Sequence, residues 1–299
     1  MIIVIGSINL DLIATVDRLP KPGETVPGDG FSTAPGGKGA NQALAARRAG
    51  SEVRMVGSVG KDAFAQEALS LLAEGGVDLL SVREAHTATG IAVILVEESG
   101  ENVIAIVPGG NGTVAAGDVA AAALAGDDVL MLQLEVPIKA VKAALEAARE
   151  AGSISILNTA PFMPEAADLL AMADYVVANE TEFDLYAEAL KLSGDDREAR
   201  MIDFCTRTGR IIVVTLGADG VAAATPQGVV RATGLKITPV DTVGAGDTFC
   251  GYLAAGFDAG LSLEDALRRA AVAGSLACLK SGAQPSIPMA ADVDEALGA

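Results

Sequence analysis

The stretch Asp241-Thr242-Val243-Gly244-Ala245-Gly246-Asp247-Thr248-Phe249 decides how the rest of the chain is read. Two glycines flank an alanine, an aspartate follows at once, and small and apolar residues at helical spacing continue to Gly260. A glycine turn that feeds a helix leaves unpaired backbone N–H groups pointing outward, with the positive end of the helix dipole behind them. Such a turn is an anion site, and phosphate is its usual anion. Asp247 admits two readings from this segment alone: an ordinary helix cap, or a carboxylate placed to take a proton.

Working outward, strands and helices alternate. Met1–Gly6 reads as a buried strand ending in glycine, with Asn9 and Asp11 just beyond it, where open α/β sheets place their ligands. Gly36-Gly37-Lys38-Gly39-Ala40-Asn41 opens an Ala-rich helix to about Ala49. Further strands are expected at Val53–Val56, Val129–Leu132, Ile154–Leu157, Tyr175–Ala178 and Ile211–Thr215, with a hairpin at Val221–Ala224 and Val229–Ala232. Helices are expected at Asp62–Ala73, Ala115–Leu124, Ile138–Ala151, Asp247–Ala259 and Leu263–Leu279. Repeated βα units imply an α/β three-layer sandwich, a mostly parallel central sheet with helices on both faces. Two segments break that plan: 12–34, punctuated by proline and glycine, and 87–107, with alternating patterning. They are expected to combine as a small β-sheet lid on a single domain spanning 1–299.

Composition narrows the function. Just over half of the 299 residues are apolar, and the formal net charge is −18. Nucleic acid and anionic membrane surfaces are bound by clustered Lys and Arg, so neither is an expected partner. Nucleotides remain open, since backbone amides and one or two cations hold them. Cys205, Cys250 and Cys278 are odd in number and form no CxxC pair, which indicates neither a zinc site nor a disulfide framework. No apolar run reaches membrane-spanning length, and the reading is a cytoplasmic protein. His86, the only histidine, sits in a polar, turn-like setting and reads as a surface residue. Acid–base chemistry therefore falls to carboxylates.

The standard nucleotide fingerprints fail. A dinucleotide loop needs glycine or alanine at 249, where Phe249 stands, and belongs to the first βα turn. A Walker A loop needs glycine at 32, where Ser32 stands. A nicotinamide dehydrogenase is thereby disfavoured. What remains is a glycine turn, a helix start and an aspartate.

Gly36-Gly37-Lys38-Gly39-Ala40-Asn41-Gln42-Ala43 and Asp241–Phe249 together resemble the two signatures of the ribokinase (PfkB) family of sugar kinases. Asn179-Glu180-Thr181-Glu182, Thr215-Leu216-Gly217-Ala218-Asp219-Gly220 and Gly282-Ala283-Gln284-Pro285-Ser286 fall in the family's order, so the resemblance covers essentially the whole chain. The stretch at 36–43 and the ending at 282–286 are closest to the ribose-specific members. The resemblance implies ATP-dependent phosphorylation of a sugar, ribose at its 5-hydroxyl first. A kinase of fructose, 2-keto-3-deoxygluconate or a nucleoside is the alternative, and a non-catalytic sugar or nucleotide binder is opposed by Asp247 beside an intact glycine turn.

The resemblance also implies roles. Asp247 is the catalytic base, and Gly244, Ala245 and Gly246 form the anion hole. Asn9, Asp11, Gly37, Lys38, Asn41 and Glu135 hold the sugar. Without the family, Asn9 and Asp11 read equally as an Asx turn and Glu135 as the cap of the next helix. Asn179 and Glu182 place Mg²⁺ and the phosphates. Thr215, Gly217 and Gly220, with Gly246, contact ATP, although a plain hairpin turn explains those glycines too. A K⁺ ion is expected against Asp241, Val243, Ala277, Lys280, Gly282 and Ser286, mostly through main-chain oxygens. Ala271 stands where members often carry Asn or His near the adenine, which removes one source of base selectivity. Members of the family dimerise through the lid, so a homodimer is expected.

Overall fold

Every residue of the first strand, Ile2–Ile5 (β1), is fully buried, because the pleat has core on both sides. Ile2 and Val4 enter one apolar cluster, Ile3 and Ile5 the other. The same split divides Val129 and Met131 from Leu130 and Leu132, and Val213 from Ile212 and Val214. This is why these strands read as unbroken apolar runs rather than alternating ones.

The computed structural model describes residues 1–97 and 101–298. After β1 the strands are β2 (Asn9–Val16), β3 (Gly28–Gly36), β4 (Val53–Val59), β5 (Asp78–Glu84), β6 (Gly90–Glu97), β7 (Asn102–Val107), β8 (Val129–Leu132), β9 (Ile154–Asn158), β10 (Tyr175–Asn179), β11 (Ile211–Thr215), β12 (Val221–Thr225) and β13 (Gly228–Ala232). The large sheet has nine strands in the order β13-β12-β11-β10-β9-β8-β1-β4-β5. From β11 to β5 neighbours run parallel, and β12 and β13 close one edge as an antiparallel hairpin. Helices Lys38–Arg48, Ala245–Asp258 and Leu263–Ala277 cover one face, and Ile138–Ala151, Glu180–Ala189 and Arg197–Thr208 the other. The result is the expected three-layer α/β sandwich.

The two inserted segments pair as a second sheet, ordered β3-β2-β6-β7. β2 and β6 are parallel and the outer pairs antiparallel. Residues 98–100, within the expected 87–107 segment, lie outside the described residues, as does residue 299. The small sheet starts earlier than its proline and glycine punctuation suggests. β2 begins at Asn9, so Asn9 and Asp11 are on its first residues rather than in a loop after β1.

Other elements also differ. The expected helix 62–73 is two short helices, Ala63–Ala68 and Ser70–Glu74, the first capped by Asp62, whose Oδ1 accepts from the Ala65 amide at 3.0 Å. β5 was hidden by its mixed composition, which suits a half-buried edge strand. Helix 180–189 mixes charged and apolar residues enough to blur its periodicity, whereas helix 197–208 buries Met201, Phe204 and Cys205 at clear helical spacing. One contact sets up the site. A methyl group on Gly251 would stand 2.5 Å from the Ala45 Cβ, so helices 38–48 and 245–258 approach as only small residues permit. Their N-terminal turns are thereby held side by side.

Candidate active site

The order of the large sheet reverses at β1, which has β4 on one side and β8 on the other. Ligands of open α/β sheets sit at such a switch point, beyond the strands' C-terminal ends. Ser7 follows β1 and Glu135 follows β8, while Asn158, Asn179 and Thr215 end β9, β10 and β11. A cleft of about 230 Å³ lies there, lined by Lys38, Asn158, Asn179, Glu182, Thr215, Thr242, Gly244, Gly246, Asp247 and Cys250, among others.

Asp247 is the third residue of helix 245–258, and the cap is Gly244. Asp247 is buried, 9% exposed. Oδ2 accepts from Asn41 Nδ2 and Oδ1 from Gln42 Nε2, each at 2.9 Å. The carboxylate is thus turned away from its own helix end, toward the neighbouring helix. Gly244 has φ +76°, and a side chain there would meet the Ala283 Cα at 2.8 Å, so both backbone angle and space demand glycine. Thr248 donates to the Gly244 carbonyl at 2.8 Å, and Ala245 to Thr242 at 3.3 Å. Among the described residues, the amides of Gly246 and Asp247 donate to no protein acceptor. They form the positive helix end that opens on the cleft.

Toward the small sheet lies a group of side chains of which Lys38 lines the cleft, whereas Asn9, Asp11, Gly37, Asn41 and Glu135 stand beyond its lining. Gly37 caps helix 38–48 at φ +90°, where a Cβ would be 2.8 Å from the Asn9 nitrogen. Glu135 Oε2 accepts from Ser7 Oγ at 2.5 Å and from the Lys38 amide at 3.1 Å. Glu135 therefore does not cap the next helix, whose cap is Pro137. Asn9 Oδ1 accepts from Asn111 Nδ2 at 2.7 Å, and Asn111 also bonds the Ile8 backbone at both its ends. Burial pushes the Asp11 carboxyl up to about 6, aided by the charges of Glu135 and Asp247. The Lys38 ammonium is raised by Asp247 against its own burial, with Glu135 and Glu182 adding to the effect. One half-buried cation thus stands among several acids.

The remaining motifs have structural explanations as well as a place beside the cleft. Asn179 and Glu182 form a reciprocal capping box: Asn179 Oδ1 accepts from the Glu182 amide at 2.8 Å, and Glu182 Oε2 from the Asn179 amide at 3.0 Å. Thr215 lines the cleft, but Gly217 and Gly220 do not. They turn the β11–β12 hairpin, and a Cβ on Gly220 would stand 2.3 Å from the Ala232 carbonyl oxygen. Asp241 ties two segments together, accepting from Val243 N at 3.0 Å and Gly282 N at 2.8 Å. The Cys278 carbonyl accepts from Val240 and Asp241, Lys280 N donates to Ala277 O at 3.4 Å, and Ser286 Oγ donates to Ala283 O at 2.9 Å. Ala271 is buried in the core, its carbonyl accepting from Ser275.

Ser7, Gln42, Asn111, Gln133 and Asn158 belong to this constellation and were not singled out by sequence. Their one legible signal is polarity inside apolar surroundings: Gln42 in an Ala-rich helix, and Gln133 between Leu132 and Leu134.

Residues 1–290 match the pfkB family carbohydrate kinase domain. Ribokinase of Schizosaccharomyces pombe is 37% identical over 308 residues, covering 98% of this chain and 96% of that protein. The crystal structure of ribokinase from Thermotoga maritima superposes with a TM-score of 0.93 at 29% identity, covering 100% of this chain and 99% of that one. Arabidopsis thaliana ribokinase complexed with ribose and ATP gives a TM-score of 0.88 at 31% identity, covering 99% and 98%. The chain belongs to the pfkB family of carbohydrate kinases.

Proposed function

We propose that the protein transfers the γ-phosphoryl group of ATP to the 5-hydroxyl of D-ribose. One observation carries the reading: a buried carboxylate, Asp247, is held on both oxygens by amide donors at the start of a helix whose free N–H groups open into the same cleft. Phosphoryl transfer passes through a loose transition state, so positioning and charge stabilisation supply most of the rate. As the sugar oxygen bonds to phosphorus and the bond to ADP breaks, Asp247 accepts the hydroxyl proton. The turn Gly244-Ala245-Gly246, with the helix dipole behind it, stabilises charge on the transferred group. Asn9, Asp11, Gly37, Lys38, Asn41 and Glu135 orient the sugar, and Thr215 meets the nucleotide at the cleft, with the turn of Gly217 and Gly220 reaching it from beyond the cleft lining. The relative that carries ribose and ATP favours these substrates over the other sugars of the family.

Two ions complete the reading. Among the described residues no group of three or more His, Cys, Asp or Glu side chains is placed to chelate a metal alone. Glu182 and Asn179 at the cleft suit Mg²⁺ arriving with the nucleotide and held largely through water. Asp241, with carbonyls of Val243, Ala277, Lys280 and Gly282 and the Ser286 side chain, is an all-oxygen set with one charge, which suits K⁺. When bound, these ions neutralise phosphate charge and strengthen the field behind the glycine turn.

The small sheet acts as a lid over the sugar. Its edge strand β7 is exposed throughout, with Val103, Ile104, Ile106 and Val107 open, and such an edge favours a second copy of the chain. No helix among the described residues is long and apolar enough to cross a membrane. The free cysteines suit the cytoplasm.

ADP release measured across ribose, 2-deoxyribose, fructose, 2-keto-3-deoxygluconate and a nucleoside, first with K⁺ and then with Na⁺, tests the reading. Ribose should show the highest kcat/KM, and K⁺ should exceed Na⁺. Better turnover of another substrate, or none of any, overturns it. Light scattering at micromolar concentration should give the mass of a dimer, and a monomer mass removes that part.

A further inference from the structure

Gln42 is fully buried, one residue beyond Asn41. Its Nε2 donates to Asp247 Oδ1 at 2.9 Å and to Asn158 Oδ1 at 3.3 Å, and its Oε1 accepts from Gln133 Nε2 at 2.7 Å. A carboxylate only accepts, so Gln42 must present nitrogen to it, and Gln133 enforces that orientation by occupying the oxygen. Gln133 lies over the end of β1, where a methyl on Gly6 would stand 2.0 Å from its Oε1. That Oε1 has no hydrogen-bond partner among the described residues. A buried amide left half unsatisfied weakens the fold, and an apolar side chain of similar volume would serve packing better. At the other end, Asn158 lines the phosphate side of the cleft and donates to the Val177 carbonyl at 3.2 Å.

We propose that Gln42, backed by Gln133, is a positioning residue for Asp247, a role that rests on Asp247 being the proton acceptor. Its N–H pins Oδ1, as that of Asn41 pins Oδ2, so that the remaining lone pairs face the incoming hydroxyl. Through Asn158 the same amide ties the base to the phosphate end of the cleft, so proton acceptor and phosphoryl donor share one rigid frame.

The test compares Gln42→Met, Gln42→Glu, Gln133→Met and Asp247→Asn for kcat, KM and the pH dependence of kcat, with circular dichroism as the folding check. Gln42→Met should lose on the order of 10- to 100-fold in kcat, keep KM for ATP within about twofold, and move the acidic limb of kcat upward by about one pH unit. Gln42→Glu should move the limb further, because a second acid then faces Asp247. Gln133→Met should act in the same direction and more weakly. A folded Gln42→Met enzyme with an unmoved limb and kcat within about twofold overturns the proposal. If Gln42→Met does not fold, an unmoved limb in Gln133→Met overturns it. Asp247→Asn separates the two ideas: if it keeps turnover, the base assignment itself falls, whereas its inactivity beside a normal Gln42→Met removes only the positioning role.

Discussion

The two walls of the site are built differently. Toward the small sheet, buried or half-buried side chains hold one another: Asn9 with Asn111, Glu135 with Ser7 and the Lys38 amide, Asp247 with Asn41 and Gln42. Toward Thr215 and Gly246, exposed turns and backbone predominate, and the main side-chain contact is the capping box of Asn179 and Glu182. A sugar offers hydroxyl groups that differ only in direction, so choosing among sugars needs donors and acceptors fixed in advance. A polyphosphate offers charge, which amides and a helix dipole meet with little side-chain precision. Substrate choice should therefore reside in the first wall and turnover of the nucleotide in the second.

The sharpest way to break that division is Gly244→Val. The residue needs a left-handed backbone and has no room for a Cβ beside Ala283. We expect kcat/KM for ATP to fall on the order of 100-fold or more, with ribose binding by calorimetry nearly intact; equal loss of both would mean the walls are not separable. Asp11→Asn should do the reverse, raising KM for ribose by about tenfold with ATP little affected.

Asp11 adds a pH signature. Its folded carboxyl is raised to about 6, so the fold favours the protonated form. Below the ordinary carboxylate range this preference is fully expressed, and it is lost as pH rises through about 6. The ionised carboxylate is thus a burden on stability at neutral pH, on the order of 3 kcal/mol. Asp11→Asn should consequently melt higher than the parent at pH 8 and about equally at pH 4. Ribose binding, in contrast, uses the ionised acid, so the parent's KM for ribose should rise as pH falls below about 6, and the variant's should not. A parent KM flat from pH 5 to 8 would count against the role of Asp11.

The smallest effect separates cap from ligand at Glu182. Gln at this position preserves a capping box, whereas Ala loses about 1 kcal/mol of it. Glu182→Gln should raise KM for MgATP several-fold without lowering Tm, and Glu182→Ala should do both. A Gln variant with parent kinetics leaves the residue as a cap alone.

Much of this was legible in the sequence, for identifiable reasons. Strands buried on both faces appear as apolar runs, so β1, β8 and β11 and the parallel sheet could be read directly. Gly37 and Gly244 were visible because positive φ and close approach leave no other residue possible. The edge strand β5 was not, since a half-buried edge has no clean alternation. The start of the small sheet at Asn9 was also hidden, because β2 follows β1 after only three residues. Asp247 reads as a cap or a base in the sequence alone; the structure has Gly244 at the cap position and the Asp247 carboxylate turned to Asn41 and Gln42. The partners Gln133 and Asn158 lie 91 and 116 positions from Gln42, a proximity that only the folded sheet creates.

The central claim, that Asp247 receives the proton of the sugar hydroxyl between these two walls, is tested most directly by the kcat of Asp247→Asn at saturating ribose and ATP. The account predicts a fall on the order of 1,000-fold, with binding of both substrates retained in calorimetry. Turnover above about a tenth of the parent's, in a variant shown to be folded, would contradict it.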